Sequence, residues 1–440
     1  MIDAEPKIKV ALLQNSPEAH LRLEGAFSRA DGRTVTGELR TQAANGEMIL
    51  WDSGGREILR KKEILLLPGA SGKNVFTVRD VKIGIDFHWQ RLQEQSFHGA
   101  VFLAPQSAST FNLINIISLE DYLASVISSE MSADAPVEFL KAQAITARSW
   151  LVAMLAKKAS PRLIPPQKKD EVLVWQDVND HRGFDVCADD HCQRYQGITR
   201  IISEGVREAI DATRGIFLTH DDKICDARYY KCCGGQTDVF ATAWEDASFP
   251  YLSSITDRDE RHEPILTEED AGRWLRSSPP AHCNTADRDI LKKILPQFDL
   301  ETLQFYRWQV EYSREELEAI LKAKSGIDFG VLTKLEPLAR GPSGRIHRLK
   351  IEGSRRTVIV GKELEIRRWL SHTHLLSSAF VISTERGAGG VISRFTIEGG
   401  GWGHGVGLCQ IGAAVMAVRG RRAGDILAHY FAGATLRKLY

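Results

Sequence analysis

Seven cysteines in 440 residues are too few for a disulfide scaffold, and an odd number cannot pair completely within one chain. No stretch reaches the roughly 18 consecutive apolar residues that a membrane-spanning helix needs, so no membrane span is expected. An excess of one charge is missing too. The 57 Lys+Arg cancel the 57 Asp+Glu, which removes the bulk attraction that nucleic-acid binders use, and no nucleic-acid partner is expected. The opening Met1–Pro6 has neither a basic n-region nor an apolar h-region, which reads as a cytoplasmic chain or one whose leader is not part of it. There is no internal repeat and no low-complexity tract. With 43% hydrophobic and 26% charged residues, disorder, collagen and coiled coil are excluded.

What is present begins with strands. Between Lys7 and about Thr110, short apolar runs (8–13, 48–51, 63–67 and 97–103) are broken by Gly, Ser, Asn and Asp, the pattern of an antiparallel β region. At Ser118 the period changes. Leu119, Tyr122, Leu123, Val126 and Ile127 fall on one helical face, and Ser118 with Asp121 predicts the helix start. A second helix is predicted from near Pro136 to about Ala156, with Leu140, Ala144, Ala147, Leu151 and Leu155 on one stripe. Residues 157–200, with Pro161, Pro165 and Pro166, read as a long loop. Strands resume near Gly215–Leu218 and over Ile346–Val360, a short helix closes the chain near Ile426–Phe431, and Arg258–Gly330 has the composition and helical spacing of an inserted α-helical subdomain.

Four constellations carry chemistry. The first is Glu130 with Lys141 and Arg148. Glu130 ends an apolar helix, where desolvation would raise its pKa and suit it to general acid work near neutral pH. Lys141 and Arg148 lie two helical turns apart on a face shared with Ile145 and Val152, and two cations there want a carboxylate or an anionic ligand; the bland alternative is a structural ion pair. The second is His181, Cys187, His191 and Cys192, two imidazoles and two thiols within one short loop. That set suits a closed tetrahedral zinc site with a structural role, while a Cys187–Cys192 disulfide or free thiols are the alternatives.

The third runs Gly399-Gly400-Gly401-Trp402-Gly403-His404-Gly405-Val406-Gly407, followed by Gln410. Every second residue from Gly401 is Gly, which predicts close backbone approach of a ligand, with Trp402 to stack and His404 to exchange protons; a tight bend in a sheet is the alternative. No phosphate-loop or dinucleotide spacing is present. The fourth is Tyr230-Lys231-Cys232-Cys233-Gly234-Gly235-Gln236-Thr237, a strand entering a turn. Its adjacent cysteines read as reduced, small apolar residues, with a reactive Cys233 near a cleft as the sharper alternative.

Taken in order, these blocks resemble the SpoIID/LytB family of peptidoglycan lytic transglycosylases and amidase enhancers. The resemblance rests on Leu119-Glu120-Asp121-Tyr122-Leu123 leading to Glu130-Met131, Leu140-Lys141-Ala142-Gln143-Ala144 with Ala147-Arg148, His191-Cys192-Gln193-x-Tyr195-x-Gly197, Cys233-Gly234-Gly235-x-Thr237 with Trp244 and Pro250-Tyr251-Leu252, and Gly401 through Ala413. It spans about Ser118 to Gly433. It implies an α+β fold with a mixed β core, two site-bearing helices, a zinc-stapled loop and an inserted helical subdomain. The division it implies is an N-terminal β-rich region (1–110), a first core part (111–257) holding the zinc loop (157–200), the helical insertion (258–330), and a second core part (331–440).

By position, the resemblance makes Glu130 the catalytic acid and then base, with Arg148 and Lys141 the essential basic residues beside it. It makes His181, Cys187, His191 and Cys192 a structural Zn2+ site, and Trp402, His404, Gln410 and Lys231 substrate contacts. Where family members often carry a histidine before the Gly-Gly segment, this chain has Tyr230-Lys231-Cys232, and Lys231 would take over as the glycan or carboxylate contact. The implied reaction cleaves the β-1,4 bond between N-acetylmuramic acid and N-acetylglucosamine of peptidoglycan glycan strands. One carboxyl group protonates the leaving oxygen and then deprotonates the 6-hydroxyl that closes the 1,6-anhydro ring, so no second carboxylate is needed to activate water. The alternative is a non-catalytic wall-binding module that enhances a partner amidase. A zinc hydrolase is disfavoured because four protein ligands leave no open position. Action in the cell envelope is implied.

Overall fold

The structure is a computed structural model that describes residues 3–70, 73–84, 90–158, 168–175, 181–200, 203–259, 265 and 267–440. Pro161, Pro165 and Pro166 lie outside the described residues. The chain is α+β and forms two compact units, one of Met1–Ala133, Val178–Ile216 and Lys438–Tyr440, the other of Asp134–Asp177 and Phe217–Arg437. These units and the four sequence blocks are different divisions of the chain, because the segment after residue 157 contributes to both units.

The first unit is built on β1 (Lys7–Ser16), β2 (Glu18–Ser28), β3 (Thr34–Ala44), β4 (Glu47–Asp52), β5 (Glu57–Lys61), β6 (Ile64–Pro68), β7 (Val75–Ile83), β8 (Arg91–Phe97), β9 (Ala100–Pro105) and β10 (Phe111–Ser118). Together with the short strand Val186–Cys187 they make an eleven-stranded sheet, ordered from Val186–Cys187 through β1, β10, β9, β6, β2, β3 and β4 to β5, with β7 and β8 branching from β2. Alternation sets the faces: Ile8 and Val10 of β1 are buried while Lys7 and Lys9 point out. The apolar run 97–103 is not one strand. Gly99, at φ 93°, turns β8 into β9, and a Cβ there would sit 2.5 Å from the Ile116 carbonyl oxygen, so the chain must break at that point.

Strand β10 runs directly into α1 (Leu119–Glu130). Ser118 caps it by accepting from the Asp121 amide at 3.3 Å, and Leu119, Tyr122, Leu123, Val126 and Ile127 are wholly buried, as the periodicity predicts. The stretch expected to be a plain loop pairs with β1 instead: Val186 and Cys187 lie parallel to Val10 and Ala11. Backbone pairing explains this, since it satisfies polar groups that a buried loop would strand.

In the second unit, α2 (Val137–Lys157) starts at Pro136 and is buried on most sides rather than along one stripe. Its polar residues are accommodated by local bonds, Thr146 and Ser149 each donating to the carbonyl four residues back. Ser149 Oγ also accepts from the Leu218 amide at 2.8 Å. Residues Glu171–Leu173 pair with Thr357–Gly361, which continues through Ile346–Gly353 to Leu332–Arg340 as a four-stranded sheet. A second sheet joins Trp308–Ser313, Ile392–Gly399 and Phe380–Arg386. Between them lies a core of Trp308, Leu317, Phe329, Leu349, Ile366, Trp369, Phe380 and Phe395. The span 258–330 holds the helices Glu268–Arg276, Arg288–Ile294 and Arg314–Ser325 and also the strand Trp308–Ser313.

Candidate functional site

Glu130 is the last residue of α1 and only 8% exposed. Its Oε1 accepts a hydrogen bond from the main-chain amide of Arg194 at 3.0 Å. That amide is delivered by an extended segment laid along α1. Gln193 accepts from the Tyr122 hydroxyl at 3.1 Å, the Tyr195 ring stacks between Tyr122 and Phe97 at 5.1 and 5.7 Å, and the Gln196 amide donates to Ser125 Oγ at 3.2 Å. The Arg194 guanidinium turns away to Asp190 at 2.5 Å. Burial raises the Tyr122 hydroxyl pKa well above its usual value, and the neighbouring Cys192, Cys187 and Glu130 raise it further, so it stays a donor.

His181, Cys187, His191 and Cys192 meet at the start of this segment. Their ligand atoms all lie within 4.8 Å of one another. His181 Nε2 and His191 Nδ1 stand 3.1 and 3.4 Å from Cys192 Sγ, close to the tetrahedron edge of about 3.4–3.8 Å set by ordinary zinc–sulfur and zinc–nitrogen bonds. Neither thiol is in a disulfide. The Cys187 thiol is pulled down to about 2, by hydrogen bonding with Cys192 first and with His181 and His191 next, against the cost of burial. The set therefore fits a thiolate-preferring divalent ion in chemistry and spacing, with the register of Cys187 fixed by β1.

Lys141 and Arg148 belong to α2, in the second unit. Lys141 Nζ pairs with Glu138 Oε1 at 2.9 Å, three residues earlier on the same helix. That hydrogen bond, with a second from the Ala423 amide, holds the Glu138 carboxyl below its usual range. Arg148 is wholly buried.

The glycine-rich loop has a different logic from the one expected. Gly401, Gly403, Gly405 and Gly407 all have positive φ, between 82° and 100°. The room they leave is taken by the protein itself: a Cβ on Gly405 would lie 2.6 Å from the Arg345 guanidinium carbon, and one on Gly407 would lie 2.2 Å from the Arg228 carbonyl oxygen. Arg345, wholly buried, is the hub. It donates to the carbonyls of Gly403 at 3.1 Å and Cys233 at 3.3 Å, and to Ser343 Oγ at 2.9 Å. At Gly401 and Gly405 the close approach that glycine permits is thus to an internal cation, Arg345.

His404 is not arranged to exchange protons. Its Nδ1 accepts from the Val406 amide at 3.1 Å and its Nε2–H donates to the Tyr229 carbonyl at 3.0 Å, so both ring nitrogens are engaged by backbone. Burial first, then the charges of Arg228 and Arg345, push its pKa well below the usual value, and the ring is neutral. Lys231 is likewise committed: its ammonium pairs with buried Asp299 at 2.7 Å and stands 5.9 Å from the Trp402 ring. Trp402 itself is partly exposed, its backbone bridged to Cys232. Gln410 opens the helix Gln410–Val418, and its amide nitrogen has no protein acceptor among the described residues. Cys233 is buried, and burial holds its thiol well above the usual range, which removes it as a nucleophile. Sequence reasoning missed Arg194, which acts through its backbone, and Arg345, which lies outside every motif.

Residues 107–220 match the family described as Stage II sporulation protein, and residues 238–407 match a domain of unknown function, DUF8618. The chain is 26% identical to stage II sporulation protein D of Bacillus amyloliquefaciens, over 72% of this chain and 73% of that protein. It is 25% identical to an uncharacterized protein of Brachyspira hyodysenteriae, over 85% and 82% of the two chains, and 23% identical to the amidase enhancer of Bacillus subtilis, over 71% of this chain and 40% of that one. These likenesses support a SpoIID/LytB assignment for the chain, with residues 107–220 carrying the match to the family model.

Proposed function

We propose that this protein acts on the bacterial cell wall, outside the cytoplasm, as a peptidoglycan lytic transglycosylase with Glu130 as acid and then base. The observation that carries the proposal is the placement of Glu130: a nearly buried carboxyl group at a helix end, with one oxygen fixed by the Arg194 amide. The fixed donor on one oxygen orients the carboxyl group, and the second oxygen is assigned the working proton. In the first step that proton passes to the glycosidic oxygen as the bond to the muramic C1 breaks. In the second, the carboxylate takes the proton of the 6-hydroxyl as it attacks C1, regenerating the acid and releasing a 1,6-anhydro end. Arg148 and Lys141 are assigned to the muramic lactyl carboxylate, and Trp402, with Gln410, to the sugar rings. Of the other two assigned contacts, His404 braces the loop from within and Lys231 is held by Asp299.

His181, Cys187, His191 and Cys192 would hold zinc. The ion supplies a structural cross-link when bound, and this chain's own Gln193–Gln196 segment carries that constraint to Glu130. The test is incubation with glycan strands stripped of stem peptides, followed by mass spectrometry for anhydro-muropeptides. Wild-type protein yielding no more product than Glu130→Gln would overturn the proposal.

A second reading is enhancement of a partner amidase without catalysis. It is favoured by the internal pairing of Lys141 and Lys231 and the full engagement of His404, which leave few groups uncommitted. It predicts stimulation of a wall amidase that survives Glu130→Gln.

A further inference from the structure

Outside the site just described, one cluster gathers three sulfurs and a carboxylate. Cys233, Asp257, Cys283 and Cys409 come from four separate stretches of the second unit, are all buried, and bring their ligand atoms within 4.8 Å of one another. Cys233 Sγ and Cys283 Sγ stand 3.3 Å apart. We propose that these four residues form a second, structural site for a thiolate-preferring divalent ion such as zinc, independent of the His181 cluster and of the reading of Glu130.

Three features favour a metal over chance proximity. A carboxylate buried beside three thiols is costly without a cation to balance it, and a closed set of three thiolates and one carboxylate meets the four-coordinate preference of zinc. The sulfurs already receive main-chain donors of the kind that tune thiolate ligands: the Cys233 amide donates to Cys409 Sγ at 3.2 Å and the Gly235 amide to Cys233 Sγ at 3.3 Å. The Gly235 donor is aimed by the Gly234-Gly235 turn, whose φ values are 75° and 109°. Finally, the carboxylate is oriented, accepting from the Cys283 amide at 2.8 Å on one oxygen and from the Tyr430 hydroxyl on the other.

A disulfide between Cys233 and Cys283 would use two of the sulfurs and leave Cys409 and Asp257 with no shared purpose. Cys409 lies immediately before the helix Gln410–Val418, where a thiolate is favoured. Bound there, an ion would tie the Gly-Gly turn, Asp257 and Cys283 to the exit of the glycine-rich loop. With four protein ligands no position remains for water, so the site holds the loop in place and performs no chemistry.

The test counts metal per chain by elemental analysis of purified protein. Two equivalents are expected in the wild type and one in the Cys187→Ser/Cys192→Ser variant. Adding Cys283→Ser to that variant is expected to remove the last. Cobalt loaded into the double variant should show intense thiolate-to-metal charge transfer. Should the triple variant fail to fold, a mercurial thiol reagent added to the double variant should release one equivalent of metal as the buried thiols react. A folded double variant without metal, or a non-reducing peptide map joining Cys233 to Cys283, overturns the proposal.

Discussion

The main-chain amide of Arg194 donates to Glu130 Oε1 at 3.0 Å, and Arg194 follows Cys192 by two residues. The carboxyl group at the end of α1 and the Cys/His cluster are therefore mechanically one object. Only proline at 194 would remove that backbone donor, so other tests act on the carboxylate or on the cluster.

Replacing Glu130 with Gln keeps an oxygen for the Arg194 amide and removes the transferable proton. Turnover of denuded glycan should fall about 10²-fold or more, the usual scale of a lost general acid. The melting temperature should move little, because the buried hydrogen bond is retained; a paired activity and thermal-melt measurement separates the two effects.

Chelation, or Cys192→Ser, should loosen the segment that carries Gln193, Arg194 and Tyr195. Amide exchange followed by mass spectrometry should show faster exchange over 193–196 with little change in β3 and β4, at the other end of the same sheet. Glycan cleavage should drop with it, although no cluster residue takes part in the proton transfers.

Gly405→Ala should be among the most damaging small substitutions. The position needs φ 86° and a Cβ would lie 2.6 Å from the Arg345 guanidinium carbon, which itself cannot leave without stranding the Gly403 and Cys233 carbonyls. A loss of about 2–4 kcal/mol is expected, read from denaturant unfolding, whereas Gly424→Ala, inside the helix Ala423–Tyr430 with nothing within 4 Å of the new Cβ, should cost nothing or stabilise slightly.

The neutral state of His404 links stability to pH. Its folded pKa lies well below the unfolded value near 6.5, so below that value the unfolded chain binds the extra proton. The contribution is fully present above pH ~6.5 and is lost as pH falls toward the folded pKa, by up to about 1.4 kcal/mol per pH unit. His404→Gln should flatten the stability profile between pH 6.5 and 5 relative to wild type.

The local signals were legible where one element settles them. Ser118 and the face Leu119–Ile127 give α1 nearly to the residue, and Ser313 starts the helix Arg314–Ser325 that its spacing predicts. Ligand types alone drew His181, Cys187, His191 and Cys192 together. Long-range pairing was not legible: nothing in Val186–Cys187 says that it joins β1, and nothing in Lys231 names Asp299, 68 positions away, as its partner. The same holds for Arg345, whose sequence neighbours carry no motif while, besides nearby Ser343, its hydrogen-bond acceptors are the distant Gly403, Cys233 and Cys232. Glycine alternation was read as space for a ligand because a sequence shows that a side chain is missing and not what fills the gap.

In the stretch Gly401–Gly407 the positive dihedrals fall on the glycines and never on Trp402, His404 or Val406. Such a backbone alternates in handedness, as a peptide of alternating D and L residues would. A semisynthetic chain with D-alanine at 405 would take the required torsion readily and carry its methyl on the side opposite to the one that meets Arg345, whereas L-alanine fails on both counts. Mirror-image substitution thus tests together the backbone's sense of rotation and the room taken by the buried guanidinium.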